Sequence, residues 1–332
     1  MHTLILSHAD VGRLLAMGTC IDLMADALRE ASKGEAVLPL RQVVRLPNSP
    51  NAFALMPAML GDALGAKIIT VFPGNDATPY ESHIGVVLFF ETTNGHLRAI
   101  IDASSITAIR TAAVSGLATQ LLARKDAGDL ALLGAGVQAL THLEAMACAR
   151  PLRRVRVWSR TAERRNDFMR QAKTRLGIDV EPCTTSHDAV QGADIICTIT
   201  ASRDPVLQGE WLAPGAHINA VGASIPRARE LDTAAVVRSR LFVDRRESTL
   251  NEAGDFLVPR GEGAITDAHI RGEIGELVAG TAVGRASDDD VTLFKSLGLA
   301  VEDVACAAYL YKRALSEGAG TRLAIGGMRD PA

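Results

Sequence analysis

Apolar positions in the first hundred residues alternate with polar ones or cluster in short runs. The stretches "VLPLRQVVRL", "NAFALMP", "AKIITVF", "HIGVVLFFE" and "HLRAIID" read as strands. Turn clusters separate them, among them Pro47-Asn48-Ser49-Pro50, Pro73-Gly74-Asn75 and Thr93-Asn94-Gly95. One amphipathic helix, about Cys20 to Gly34, precedes these runs. This half predicts a mainly antiparallel sheet. Residues 104–124, "SSITAIRTAAVSGLATQLLAR", then read as one long helix, with Ser104 or Ser105 as its N-cap.

From residue 129 onward short β runs alternate with helical ones. "LALL" leads into a helix over 137–149, and "VRVW" into a helix over 161–176. "ADIICTIT", "AHINAV" and "RLFVD" follow as further strands. Such alternation predicts an α/β fold with a parallel sheet covered by helices on both faces. "LAVEDVACAAYLYKRALSEG" closes the chain as an amphipathic helix, and "AIGGMRDPA" reads as a frayed tail.

The first of these strand-to-helix turns carries chemistry. Gly134-Ala135-Gly136-Val137-Gln138-Ala139 fits G-x-G-x-x-A. Small residues there permit a tight turn and close approach of a pyrophosphate, and the helix N-terminus offers free N–H groups and partial positive charge. The next strand, "RVRVW", ends in Ser159-Arg160-Thr161, with Arg164 and Arg165 one turn later and no acid at its tip. An NAD enzyme usually places a carboxylate there for the ribose hydroxyls. Hydroxyls and a guanidinium suit a 2′-phosphate instead. NADP(H) is therefore favoured, with NAD(H) as the alternative. Thr198 and Thr200 end a later strand, where ligands of such sheets collect.

Composition bounds the remaining choices. The 332 residues suffice for two domains, and 48% of them are hydrophobic. A net charge of −3 argues against a nucleic-acid surface. No apolar run approaches the roughly 20 residues of a membrane span. The N-terminus has no basic n-region or cleavage site, so a cytoplasmic protein is expected. The five cysteines lack C-x-x-C spacing and the eight histidines lack paired-ligand spacing, so no protein-bound metal is expected.

Basic residues stand out in the first half. Arg41 in "PLRQ", Lys67 in "GAKIITVFPGN" and Arg110 in "TAIRTAAVSGLA" lie in or beside apolar elements, without acids nearby in sequence. Buried unpaired cations are costly, so the trio suggests a site for a small anionic substrate.

Taken in order, "LPLR", "MPAML", "AKIITVFPGN", "TAIRTAAVSGLAT", "LLGAGVQA", "DPVL", "INAVGAS" and "FKSLGLAVEDVA" resemble the ornithine cyclodeaminase/mu-crystallin family over nearly the whole chain. The resemblance implies a Rossmann-type dinucleotide-binding domain (118–304) joined to a smaller α+β domain made of both chain ends (1–117 and 305–332). The sheets of that smaller domain would pair in a homodimer. It also implies that Arg41, Lys67 and Arg110 hold the carboxylate of an α-amino or α-imino acid. Thr111, Val221 and Gly222 join the cofactor-binding residues, and Lys295-Ser296-Leu297-Gly298 closes over the nicotinamide. Cyclodeaminases of the family carry an Asp where this chain has Ser224, and an acid where it has Ala54. A neutral Ser is a poor general base, so the mu-crystallin branch fits better. The implied reaction is NADPH-dependent reduction of a cyclic ketimine carboxylate. Lys67 and His83 are candidates for moving the proton, Arg110 for orienting the acid and Ser224 for bonding the imine N–H. Glu302 and Asp303 are expected to cap or pair nearby basic groups. The competing readings are ornithine cyclodeamination, an alanine or N-alkyl amino-acid dehydrogenase, and an NADPH-dependent binding protein.

Overall fold

The computed structural model describes residues 2–325. The expected frayed tail therefore falls, beyond Ile325, outside the described residues. The chain divides into two compact units: Met1–Arg110 with everything from Leu299 onward, and Thr111–Gly298. Both divisions fall a few residues before those anticipated from the sequence.

The first unit begins with β1 (Thr3–Leu6), α1 (His8–Leu14), α2 (Met17–Ser32), β2 (Ala36–Val37), β3 (Gln42–Arg45), β4 (Ala52–Leu60), β5 (Ala63–Val71), β6 (His83–Glu91) and β7 (Leu97–Asp102). Helix α3 (Ala103–Leu122) carries the chain into the second unit. There follow β8 (Asp129–Leu133), α4 (Val137–Ala149), β9 (Arg154–Trp158), α5 (Ala162–Leu176), β10 (Glu181–Pro182), α6 (Ser186–Val190), β11 (Ile195–Thr198) and β12 (His217–Ala220). Then come α7 (Thr233–Arg238), β13 (Ser239–Val243), α8 (Arg246–Glu252), α9 (Gly254–Gly261), β14 (Ile270–Glu273), α10 (Ile274–Val278) and β15 (Val291–Lys295). Helix α11 (Ala300–Glu317) and β16 (Thr321–Leu323) return to the first unit.

In the first unit the strands run in the order β16-β1-β7-β6-β5-β4-β2, with β3 also on β4. Every pairing is antiparallel except β1 with β7. Side chains alternate between faces, so Ala63, Gly65, Lys67 and Ile69 of β5 are buried while their neighbours are only half-buried. Helices α11 and α2 pack on each other and on β4, and α11 also covers β5 and β6. The opposite face stays apolar and open: Phe53 is 40% exposed and Ile84 43%. The N-cap of α3 differs from expectation. Asp102 Oδ1 accepts the backbone N–H of Ser105 at 2.8 Å and also its hydroxyl. A carboxylate one residue before the helix thus caps it, and Ser104 instead gives its hydroxyl to the carbonyl of His83, 2.7 Å away. Helix α1 has no periodic signal long enough to reveal it. It rests on a capping box between Ser7 and Asp10.

The second unit is a wholly parallel sheet, ordered β10-β9-β8-β11-β12-β15-β13-β14. Its inner strands β8, β11, β12, β15 and β13 are short and almost wholly buried, as cover on both faces requires. The chain winds outward from β8 through β9 to β10, then restarts beside β8 at β11. The order reverses between β8 and β11, and doubly wound sheets bind ligands at the carboxyl ends of strands at such a switch.

Candidate active site

The first unit gathers the three cations singled out in the sequence. In the ladders, Gln42 pairs with Leu55 and Met56 with Lys67. One residue before the first of these pairs, Arg41 therefore continues a row that runs through Met56 to Lys67. Lys67 and Arg110 are buried, at 2% and 4% exposure. Neither has an acid nearby in sequence, and the structure supplies their partners from far along the chain. Lys67 Nζ lies 2.7 Å from Asp303 Oδ2. Arg110 gives Nε to Asp303 Oδ1 at 3.1 Å and Nη1 to Glu302 Oε2 at 2.9 Å. The acids come from the first turn of α11, remote in sequence and adjacent in space, and they pair the basic groups as expected of them.

Asp303 and Glu302 match Lys67 and Arg110 in number, and the Arg41 charge also acts on Lys67. Burial, the Arg110 charge and, more weakly, Arg41 pull the Lys67 ammonium down to about 8 against the pull of Asp303. Burial works against the Arg110 charge too, but Asp303 and Glu302 outweigh it and hold the guanidinium protonated. Burial opposes the charge of Asp303, and the two cations outweigh it, keeping the carboxyl below the usual range. Nε and Nη1 of Arg110 carry the bonds to these two acids.

His83 starts β6 opposite Val71 and shares the face of Lys67, which stands opposite Val87. Its Nδ1 lies 2.9 Å from Ser82 Oγ. The residue reaches solvent, yet the surrounding protein and the Lys67 charge both lower its pKa.

In the second unit the glycine turn has the form its sequence requires. Gly134 sits at φ +123°, and a Cβ there would lie 2.8 Å from the Ile199 carbonyl oxygen. Only glycine fits between the tips of β8 and β11. Gly136 faces open space, because a Cβ on it would meet nothing within 4 Å. Ala135 is half-buried, Gly136 and Val137 are exposed, and α4 starts at Val137 with Gln138 in its first turn. A glycine-lined cradle at the head of a helix thus suits a diphosphate. At the tip of β9, Ser159 is half-buried while Arg160 and Thr161 are exposed. Arg164 lies in the first turn of α5, and Arg165 is spent on the Cys183 carbonyl at 3.1 Å. Thr111 is buried in α3, and its carbonyl accepts the Ser115 hydroxyl at 3.3 Å.

The strand ends beyond the switch are organised by buried carboxylates that no sequence pattern revealed. Thr198 is fully buried and gives its hydroxyl proton to Glu230 at 2.8 Å, so it faces the protein rather than a ligand. Thr200 directs both its N–H and its hydroxyl to the same carboxylate, at 2.6 and 2.7 Å. Gly222, next to Val221, adds its N–H at 2.7 Å. Asp244 Oδ2 accepts the N–H groups of Leu297 and Gly298 at 2.5 and 2.8 Å, fixing the loop that begins at Ser296. Lys295 is corrected: it ends β15, is 1% exposed and pairs with Asp255 at 2.9 Å instead of closing over a ligand. Ser224 lies exposed in the loop after β12, and Ala54 is buried in β4.

The model of the ornithine cyclodeaminase/mu-crystallin family matches residues 1–318. The chain belongs to the ornithine cyclodeaminase/mu-crystallin family. Among members of this family, mouse ketimine reductase mu-crystallin is 42% identical over 290 residues, 86% of this chain and 88% of that protein. The structure of Thermococcus litoralis Δ1-pyrroline-2-carboxylate reductase in complex with NADH and L-proline matches with a TM-score of 0.94 and 36% identity, over 97% of this chain and 100% of that one. An archaeal alanine dehydrogenase dimer with bound NAD matches with a TM-score of 0.92 and 30% identity, over 98% of this chain and 100% of that one. The Rossmann-type second unit is thus a family feature. Among the described residues no helix is long and apolar enough to cross a membrane, and no group of three or more His, Cys, Asp or Glu could hold a metal ion.

Proposed function

We propose that this chain is an NADPH-dependent reductase of cyclic ketimine carboxylates. It would convert Δ1-pyrroline-2-carboxylate or Δ1-piperideine-2-carboxylate to L-proline or L-pipecolate. The observation that carries the reading is the gathering of Lys67 and Arg110 around Asp303, with Arg41 near enough for its positive charge to act on Lys67. That charge suits one small carboxylate. The likeness to ketimine and Δ1-pyrroline-2-carboxylate reductases selects the acid's class.

The residues divide the work as follows. Arg41 and Arg110 bind and orient the carboxylate, and such orientation lowers barriers by several kcal/mol. The hydride for the imine carbon would come from a bound nicotinamide dinucleotide. Lys67, still protonated at neutral pH but close to its titration, holds the proton for the imine nitrogen. His83 is the weaker donor, since its lowered pKa leaves it neutral there. Ser224 bonds the imine N–H or a water. A hydroxyl at this position, with Ala54 in β4, leaves the second amine of ornithine without a carboxylate partner.

Gly134, Ala135, Gly136, Val137 and Gln138 are assigned to the diphosphate. Ser159, Arg160 and Thr161, with Arg164 nearby, are assigned to a 2′-phosphate, which favours NADPH over NADH. The open apolar face around Phe53 and Ile84 is assigned to a homodimer. The chain is assigned to the cytosol, and Cys20 and Cys306 are free thiols whose sulfurs share a hydrogen bond at 3.8 Å.

The test is to mix purified protein with NADPH and each cyclic imine and follow the absorbance of the reduced cofactor. Consumption with either imine supports the reading. Ammonia release from ornithine with oxidised cofactor, and no imine reduction, would replace it with cyclodeamination.

A further inference from the structure

The second unit contains a buried charge network that the proposed reaction does not use directly. Glu230, in the loop between β12 and α7, is fully buried. Its Oε2 accepts Thr198 Oγ1 at 2.8 Å and Gly222 N at 2.7 Å. Its Oε1 accepts Thr200 N at 2.6 Å and Thr200 Oγ1 at 2.7 Å. These donors sit at or just beyond the carboxyl ends of β11 and β12. The backbone behind Glu230 is fixed in turn. Asp255 Oδ1 accepts the N–H of Glu230 at 2.8 Å and of Leu231 at 3.0 Å, and Asp255 Oδ2 pairs with Lys295 Nζ at 2.9 Å. One chain of contacts ties together the ends of β11, β12 and β15.

Its charge does not cancel, since two carboxylates face one ammonium. Each oxygen of Glu230 accepts one backbone N–H and one threonine hydroxyl, and four donors on one carboxyl favour its ionised form. Burial and the neighbouring Asp255 push the Glu230 carboxyl up, while Lys295 and the Thr200 bonds pull it down. Four hydrogen bonds hold the Glu230 carboxylate in place, while among the described residues Asp255 Oδ2 and Lys295 Nζ rest on their ion pair alone. Gly222 packs directly on it: a Cβ there would lie 2.0 Å from the Thr200 carbonyl oxygen and 2.7 Å from Glu230 Oε1. The fixed negative charge is thus separated from the ligand side of the strand ends by one layer of backbone.

We propose that Glu230 is a positioning residue of the cofactor site, and that its buried negative charge sets the relative affinity for oxidised and reduced dinucleotide. The inference rests on the reading that this unit binds a nicotinamide dinucleotide. An oxidised nicotinamide ring is cationic and a reduced one is neutral. A negative charge beneath Thr200 and Gly222 stabilises the first and not the second. It makes the reduced cofactor a better hydride donor, and it biases the enzyme toward imine reduction.

The experiment compares dissociation constants of NADP+ and NADPH, by calorimetry or fluorescence, for the wild-type protein and Glu230→Gln. The variant is expected to weaken NADP+ binding roughly tenfold, the factor for about 1.4 kcal/mol, and to change NADPH binding much less. Lys295→Gln, which removes the positive member instead, is expected to shift the affinity ratio in the opposite direction, and it serves alone if Glu230→Gln does not fold. Equal weakening of both cofactor forms, or an unmoved ratio, overturns the proposal and leaves the cofactor reading intact. A wild-type protein that binds neither form overturns both.

Discussion

Lys67 Nζ stands 2.7 Å from Asp303 Oδ2, and the other oxygen of that carboxylate takes Nε of Arg110 at 3.1 Å. A single acid on α11 therefore holds two cations, one on β5 and one on α3. Each would be intolerable alone at that depth. Sharing the acid, with Glu302 as a second partner of Arg110, offsets the cost of burying both charges.

Asp303→Asn removes that common partner and leaves two buried cations with Glu302. Breaking a buried pair from one side costs about 3–5 kcal/mol. The urea midpoint should fall accordingly, with an unchanged dependence on denaturant. A variant as stable as wild type would show that the pairing contributes nothing.

The pH profile follows from Lys67. Burial, Arg110 and Arg41 favour its neutral form, so the ammonium is lost as pH rises through about 8 rather than near 10.5. The reduction rate, as kcat/KM, should be carried by the protonated form and fall above that pH with the loss of one proton. Asp303 works in the opposite sense, so Asp303→Asn should move the falling limb to lower pH. A flat profile between pH 7 and about 10 would remove Lys67 from the proton step.

Arg160→Ala tests the cofactor assignment. A charge-assisted hydrogen bond contributes about 1.5–3 kcal/mol, so the dissociation constant of NADPH should rise roughly tenfold to a hundredfold while that of NADH stays put. Equal effects on both cofactors would mean that Arg160 does not meet a 2′-phosphate.

The open face of the first sheet gives the fourth prediction. Phe53 and Ile84 are apolar and about two-fifths exposed. Phe53→Asp combined with Ile84→Asp should turn a dimer into a monomer in light scattering, with each unit's secondary structure retained. An unchanged mass would place the subunit contact elsewhere.

Much of this architecture was legible in the sequence because its signals are local. The helix expected over 137–149 is the helix observed, since the glycine turn fixes its start and Pro151 limits its end. The antiparallel strands announced themselves by alternation and turn residues. What stayed hidden depends on distant pairing. Asp303 lies 193 positions from Arg110, and nothing in "LAVEDVA" says which cation it meets. Glu230, Asp244 and Asp255 sit in loops or short helices without periodicity, yet their carboxylates set the strand ends where a cofactor is expected. Strands β14 and β15 are too short and irregularly flanked to be told from loop. The serines at 104 and 105 hide the N-cap of α3, because the helix already begins at Ala103 and Asp102 receives the Ser105 N–H.

The most direct test of the central claim follows the hydrogen itself. NADPH deuterated at the transferable C4 position is incubated with the protein and Δ1-piperideine-2-carboxylate, and the product is analysed by mass spectrometry and chiral chromatography. The account predicts L-pipecolate carrying one deuterium at Cα, with Arg110→Met forming little of it. Product without deuterium, or deuterated product formed equally well by the Arg110 variant, would contradict it.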